Sequence, residues 1–187
     1  MAQTKLLLDS NAYFRLAKEI HPLLFQEFGS KAYCLYVLQE LEAEYDRSRR
    51  LQTKFPWVDA PEYRANRCKP LTLSKRQRAD ITISEGIMWE AVLTEVPGPT
   101  RVDVRNLAHG YVLGVPVVTD DADMATLARM FHVQITSTLQ LLKLMLDQRH
   151  VTMQDIRRIA GFWRWLGDVP RDFVREYKKI FNEAPPN

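Results

Sequence analysis

The sequence predicts an α/β fold in which a short parallel sheet is flanked by helices and followed by a C-terminal helical extension. Short apolar runs typical of buried strands alternate with segments whose apolar residues recur at helical spacing. This alternation favours a parallel sheet over an all-helical bundle. We therefore expect a sheet-forming domain over residues 1–147 and a helical hairpin over residues 148–187, with no internal repeat.

The first half of the chain is predicted to contain two strands and two helices before a break in periodicity. Apolar runs and helical spacing of apolar residues set the bounds of these elements. The last segment combines several prolines with aromatic and basic residues, so we expect it to be irregular. In chain order the segments are a strand at Lys5–Asp9, a helix at Asn11–Glu19, a strand at Lys31–Leu35, a helix at Val37–Arg50 and an irregular excursion at Gln52–Leu73.

The second half carries four helix starts and two further strands. Each helix start has Ser or Thr followed three residues later by Gln or Asp, the pattern of a capping box. These pairs are Ser74 with Gln77, Thr100 with Asp103, Ser137 with Gln140, and Thr152 with Asp155. The strands are expected at Pro116–Thr119 and Val133–Thr136.

The C-terminal region shows two apolar stripes at helical spacing, separated near Gly167–Pro170. Pro170 suits the first turn of the second helix. The stripes predict a helical hairpin that packs on its own domain, or alternatively at an interface with a second copy of the chain or with another protein. Their members are Ile156, Ile159, Ala160, Trp163 and Leu166, then Phe173, Val174, Tyr177, Ile180 and Phe181.

Composition restricts the class of protein. At 187 residues with 46% hydrophobic and 26% charged residues, the chain has the composition of a globular protein with one ordinary core. A net charge of +3 neither requires nor excludes nucleic acid. Cys34 and Cys68 lack metal-ligand spacing and suit a reducing compartment. Without a membrane-length apolar stretch or a leader-like N-terminus, we expect a cytoplasmic protein with no membrane partner.

Four acidic residues stand where an open α/β sheet would gather ligands. Asp9 ends the first apolar run, Asp121 follows a later one, and Glu40 and Asp103 lie near the starts of helices. Ligands of such sheets bind outside the carboxyl ends of the strands. Carboxylates held close together repel one another, so such a cluster normally contains a hard cation such as Mg²⁺ or Mn²⁺. Asp120 and Asp123 are alternates to Asp121 as the metal ligand.

Each acid also has a structural interpretation. Asp9 can cap the next helix, and Glu40 can belong to a solvated acidic helix face. Asp103 can be the third residue of the capping box begun by Thr100. Aspartates around position 121 suit a helix N-terminus whatever their function.

The chain resembles the PIN-domain family in several motifs that occur in the family's order. They span most of the chain up to about Leu146 and are Leu6–Asn11, Val37–Leu41, Val102–Ala108 and Gly114–Asp123. The resemblance implies a PIN-like three-layer fold and a metal-dependent ribonuclease, often the toxin of a VapBC-type toxin–antitoxin pair. It implies that Asp9, Glu40, Asp103 and Asp121 form a catalytic quartet that binds Mg²⁺ or Mn²⁺. Water activated by such a metal would leave products with 5′-phosphate and 3′-hydroxyl ends.

Polar, basic and aromatic residues complete the expected site. Short polar side chains could orient the carboxylates, or cap neighbouring helices instead, and these are Ser10, Asn11 and Thr119. A basic rim would bind RNA, and its candidates are Arg47, Arg49, Arg50, Arg76 and Arg105. Phe55, Trp57 and Tyr63 could stack unpaired bases, or else simply hold a loop in place.

The expected partners are RNA, an antitoxin protein and a second copy of the chain in a homodimer. Two alternatives remain open. One is a PIN-like nuclease of RNA processing or DNA-directed repair without an antitoxin, and the other is a non-catalytic nucleic-acid-binding scaffold. A phosphatase or receiver domain is disfavoured, because the first strand lacks the Asp-x-Asp-x-Thr pattern.

Overall fold

A computed structural model describes residues 3–186 and contains a four-stranded sheet in which every neighbouring pair is parallel. The strands are β1 (Thr4–Leu8), β2 (Tyr33–Val37), β3 (Val117–Val118) and β4 (Ile135–Thr136). Their order across the sheet is β2-β1-β3-β4. The prediction of an α/β fold with a short parallel sheet is confirmed.

Ten helices accompany these strands within the described residues, together with a short 3₁₀ turn at Pro56–Asp59. The helices are α1 (Ser10–Leu16), α2 (Glu40–Arg47), α3 (Arg49–Lys54), α4 (Pro61–Arg67), α5 (Lys75–Thr94), α6 (Arg101–Leu113), α7 (Ala122–Met130), α8 (Thr138–Asp147), α9 (Met153–Trp165) and α10 (Phe173–Phe181). Across residues 3–186, none of these helices has both the length and the apolar character needed to cross a bilayer.

Helices cover both faces of the sheet. Because side chains alternate along a strand, Leu6 and Leu8 face one side while Leu7 faces the other. The Leu6 and Leu8 side joins a core built with α1, α2, α8, α9 and α10. The Leu7 side joins a second core built with α5, α6 and α7. Burial on both faces explains why the strands are continuous apolar runs.

The strand order reverses direction at β1. The chain passes from β1 to β2 on one side and later returns to β3 on the other side of β1. Such a reversal opens a crevice outside the carboxyl ends of the two strands. Asp9 follows β1 directly and Thr119 follows β3 directly, so both residues lie at this point.

The structure corrects several predicted boundaries. The second strand begins at Tyr33 instead of Lys31, and the predicted helix from Val37 to Arg50 is split at Ser48. The excursion predicted to be irregular contains the 3₁₀ turn and α4, whose prolines stand in their first turns. Proline is tolerated there because the missing N–H would have no partner in the helix.

All four predicted capping boxes are present, at the starts of α5, α6, α8 and α9. The position expected for Pro170 is wrong, since α10 begins at Phe173 after Asp172. Asp172 has a positive φ of 56°, which lies outside the right-handed helical region. The helix therefore cannot extend past Asp172 to include Pro170.

The C-terminal hairpin packs into the core on the Leu6 and Leu8 side of the sheet. Trp163 and Tyr177 are fully buried there. The Trp163 indole Nε1 also donates a hydrogen bond to the Arg15 carbonyl in α1 at 2.8 Å. The hairpin therefore contributes side chains to the same core as the central strand.

We expect Trp163→Ala to lower the free energy of unfolding by about 3–5 kcal/mol, because it leaves a cavity and removes a buried hydrogen bond. Trp165→Ala is the matched control, since Trp165 is 79% exposed two residues away and should change stability by less than about 0.5 kcal/mol. Urea denaturation of both variants measures the difference. Equal stabilities would show that the hairpin is not part of the cooperative core.

Candidate functional site

Asp9 is the most buried acid at the crevice, with 4% of its surface exposed. Its Oδ1 accepts a hydrogen bond from the Ala12 N–H at 2.5 Å, which caps α1, and the Thr119 hydroxyl donates to Oδ2. Burial, together with the weaker effect of the negative charges of Asp120 and Asp103, raises the pKa of Asp9 from 3.8 to about 7 against the opposing effect of these hydrogen bonds. At neutral pH this carboxyl is therefore balanced between its charged and neutral forms.

Asp103 lies in the first turn of α6, where it completes the capping box. Its Oδ2 accepts hydrogen bonds from the Thr100 N–H at 2.7 Å and from the Thr100 hydroxyl at 2.9 Å. Burial raises the pKa of Asp103, and the charge of Asp121 adds to the effect. Capping engages only Oδ2 of Asp103, so it is compatible with the cluster role that the sequence predicts for this side chain.

Asn106 is a buried member of this site that the sequence did not identify as functional. Its side-chain Nδ2 donates to the Leu8 carbonyl at 3.2 Å, at the end of β1. Its Oδ1 is buried and has no hydrogen-bond partner among the described residues. Residues three apart share a helix face, so Asp103 lies on the face of α6 that approaches β1. That spacing is the sequence signal that could have identified Asn106.

Asp120 is held by structural contacts. It forms an ion pair with Arg15 at 2.7 Å, and it accepts hydrogen bonds from the Thr138 N–H at 3.0 Å and the Thr138 hydroxyl at 2.5 Å. Arg15 also contacts Asp168 in the hairpin turn at 3.2 Å. Asp120 therefore ties α1, α8 and the hairpin together, and both of its oxygens are engaged.

Asp121 and Asp123 lie at the start of α7 and are exposed. Asp121 caps the helix by accepting from the Met124 N–H at 2.7 Å, and its own N–H donates to the Thr119 hydroxyl at 3.1 Å. Asp123 lies against Gly98 in the loop before α6, where the glycine leaves room for its carboxylate. Of the three aspartates, Asp121 is the one whose charge acts on Asp103.

Glu40 begins α2 and takes part in an ion pair. The guanidinium of Arg105 lies 2.7 Å from Glu40 and 2.9 Å from Glu85 of α5, and these two acids raise the pKa of Arg105 above its ordinary value. The three residues line a groove of about 600 Å³ between α2, α5 and α6. Glu40 thus faces a cation of its own chain rather than open solvent.

Ser10 connects the groove with the crevice. It follows Asp9 in the chain, and its hydroxyl donates to Glu44 at 2.5 Å. Glu44 lies one turn beyond Glu40 on α2 and lines the same groove. Of the three polar residues expected to orient carboxylates, Thr119 contacts Asp9, Ser10 contacts Glu44, and Asn11 is exposed.

The predicted basic residues are distributed over several helices. Arg47 lines the groove and Arg105 crosses it, while Arg49 and Arg50 are exposed on α3 and Arg76 is exposed on α5. The groove therefore has cationic groups at its rim and acids along its wall.

The aromatic residues that were predicted to stack on unpaired bases have a structural role. Phe55 is buried, and its ring stacks on the ring of Phe14 with a centroid-to-centroid distance of 5.0 Å. The predicted contact of Phe55 with unpaired bases is therefore wrong. Trp57 and Tyr63 are partly buried, and their rings pack against each other with centroids 4.7 Å apart. Together they hold the segment between α3 and α4 in place.

The donor set at the crevice suits a hard cation in its chemistry. Asp9, Asp103 and Asp121 supply carboxylate oxygens, and the unpartnered Oδ1 of Asn106 supplies a neutral one. Within residues 3–186, no three His, Cys, Asp or Glu side chains stand close enough to hold a metal as they are placed. Binding a cation would therefore require the carboxylates to draw together.

Compared with known proteins, the chain matches no protein-family model and no curated protein.

Proposed function

We propose that this protein is an Mg²⁺- or Mn²⁺-dependent endoribonuclease with a PIN-like fold, acting as the toxin of a toxin–antitoxin pair. One observation carries the proposal, which is the buried Asp9 at the strand-order reversal with a pKa raised to about 7 beside other acids. A buried carboxylate among like charges is costly at neutral pH unless a cation neutralises it. Strongly perturbed acids in a crevice are typical of functional sites.

Four residues would hold the metal: Asp9, Asp103, Asp121 and Glu40. The oxygen donors and the unpartnered Asn106 Oδ1 support this assignment. When bound, Mg²⁺ or Mn²⁺ lowers the pKa of a water ligand and stabilises charge on phosphate oxygens.

The protein's own side chains position the site and its substrate. Thr119 fixes the rotamer of Asp9 by donating to Oδ2, and the cap to Ala12 fixes the other oxygen. For Glu40 to act as a ligand, its ion pair with Arg105 must open. The released guanidinium would then be available to an RNA phosphate, for which its planar fork is suited.

The groove supports RNA as the substrate class. It leads from Ser10 beside Asp9 towards the exposed Arg47, and it can accept a single-stranded backbone whose phosphates need cations at the rim.

An antitoxin would offer Arg or Lys to the acids or block the groove. Expression alone should then slow growth, and an adjacent antitoxin gene should restore it. A harmless but active nuclease would favour the alternative role in RNA processing or DNA-directed repair.

The direct test is to incubate purified protein with single-stranded RNA and Mn²⁺ or Mg²⁺ and to map the new ends by sequencing. We expect 5′-phosphate and 3′-hydroxyl ends and complete loss of cleavage in excess EDTA. Ends carrying a 2′,3′-cyclic phosphate, or full activity in EDTA, would contradict the proposal. A protein that binds RNA without cutting it would instead be a non-catalytic scaffold.

A further inference from the structure

Trp89 and Arg101 form a stacked pair at the groove between α2, α5 and α6. The Cζ atom of Arg101, which lines the groove, lies 3.9 Å from the centroid of the Trp89 ring. A guanidinium that met the ring edge-on would hold its Cζ farther away, because its own N–H groups would lie between the two. The short distance therefore indicates that the guanidinium lies flat against the indole in a cation–π contact.

The stacked pair extends the wall of the groove by one helical turn. Trp89 lies one turn beyond Glu85 on α5, and Arg101 lies one turn before Arg105 on α6. The stacked contact and the ion pair between Arg105 and Glu85 are therefore successive contacts between antiparallel helices, about 5.4 Å apart. This places the stacked pair at the start of α6, the helix turn that also carries Asp103.

The fold itself does not account for a cation at position 101. Two acids hold Arg105 one turn away, whereas no carboxylate within residues 3–186 lies at ion-pair distance from the exposed Arg101. Arg101 is also the first residue of α6, where the positive end of the helix dipole disfavours a cation. Its charge and its planar group are therefore free to contact a ligand in the groove.

We propose that the stacked pair is a binding site for one unpaired base of a single-stranded RNA. The indole covers one face of the guanidinium and leaves the other face open to the groove. Unpaired bases stack on Arg planes as well as on aromatic rings. The inference rests on the proposed function, which supplies RNA as the occupant of the groove, and it provides the base contact that the buried Phe55 cannot make.

A base matches this pair better than a phosphate alone does. A phosphate binds the N–H edge of a guanidinium, and a supporting tryptophan adds nothing to that contact. For stacking, the indole holds the guanidinium plane in one orientation, so less side-chain freedom is lost when the base binds. The N–H edge remains available to the phosphate next to the bound base.

Two unlabelled competitor strands test the site in full-length protein. Each is a six-residue ribose-phosphate strand of abasic residues, and one of them carries a single adenine at its third position. Both strands have the same phosphates, so the difference in affinity isolates the base. Competition against a fluorescein-labelled RNA octamer in EDTA, followed by fluorescence anisotropy, gives both affinities. We expect wild-type protein to bind the adenine strand about tenfold more tightly, as the stacking of one base provides.

Variants of the pair separate the plane from the charge. Arg101→Lys keeps the charge and should bind the two strands within about twofold of each other, because it lacks the planar group. Trp89→Leu should also lose most of the preference for the adenine strand. Arg129→Lys is the matched control and should keep the preference, since Arg129 is exposed on α7 and its hydrogen bonds are local. Circular dichroism and a thermal melt establish that each variant is folded.

Equal binding of the two strands by wild-type protein, or binding of neither, would overturn the stacking site. So would a tenfold preference that survives Arg101→Lys. Equal weakening of both strands by Arg101→Lys, without a change in preference, would make Arg101 a phosphate contact only. Cleavage of unmodified RNA in Mn²⁺ is measured separately. An adenine preference in a protein that does not cut RNA would refute the nuclease alone, and cleavage without the preference would refute the stacking site alone.

Discussion

Asp9→Asn should reduce RNA cleavage by more than about 100-fold while leaving the fold intact. Loss of a partner that merely supports a metal ligand costs about 10–100-fold, so loss of a ligand should cost more. The variant keeps the shape of the side chain, and asparagine caps helices as well as aspartate does. Its carbonyl oxygen can still accept from the Ala12 N–H, and its amide can donate to the Thr119 hydroxyl oxygen. Single-turnover cleavage of single-stranded RNA in Mn²⁺ gives the rate.

Asp147→Asn is the control for this experiment, because Asp147 is an exposed acid at the end of α8 whose one ion pair is local. It should cleave RNA at the wild-type rate. Cleavage by Asp9→Asn within a few fold of the wild-type rate would show that the buried carboxyl plays no part in the chemistry. Thermal melts of both variants separate loss of chemistry from loss of fold.

The sheet and the position of Asp9 were predictable because they depend on local patterns. The run Leu6–Leu8 is apolar at every position, as only a strand buried on both faces requires, and Asp9 is the first polar residue after it. Capping boxes depend on residues three apart, so the starts of α5 and α6 followed from the sequence in the same way.

The contacts of Glu40 and Asn106 were not predictable, because they join residues far apart in the chain. Arg105 reaches Glu40 across 65 positions, and Asn106 reaches the Leu8 carbonyl across 98. No periodicity encodes such pairs, and only the packing of α6 on β1 and α2 brings them together. The role given to Phe55 failed for the same reason, since its burial depends on Phe14 of α1.

The free energy of unfolding of the metal-free protein should contain a contribution from Asp9 that falls as pH rises from about 4 to about 7. The pKa of Asp9 is about 7 in the fold against an ordinary 3.8, so the folded state binds more protons than the unfolded state in this window. Unfolding free energy decreases with pH wherever the folded state binds more protons. A shift of about three pKa units corresponds to roughly 4 kcal/mol. The free energy of unfolding should decrease by this amount between about pH 4 and pH 7, and Asp9 should cause no further change above pH 7.

Urea denaturation in EDTA from pH 4 to pH 9 measures this contribution as the difference between wild-type protein and Asp9→Asn. The difference is needed because burial lowers the pKa of His109 and of His150, and these residues contribute stability that rises with pH up to about 6.5. The pKa of Asp103 shifts in the same direction as that of Asp9, and Asp103 is present in both proteins.

At pH 8, Mn²⁺ should stabilise wild-type protein by mass action and should stabilise Asp9→Asn much less. Parallel pH profiles for the two proteins would mean that Asp9 is not held at a raised pKa, and equal stabilisation by Mn²⁺ would place the cation elsewhere.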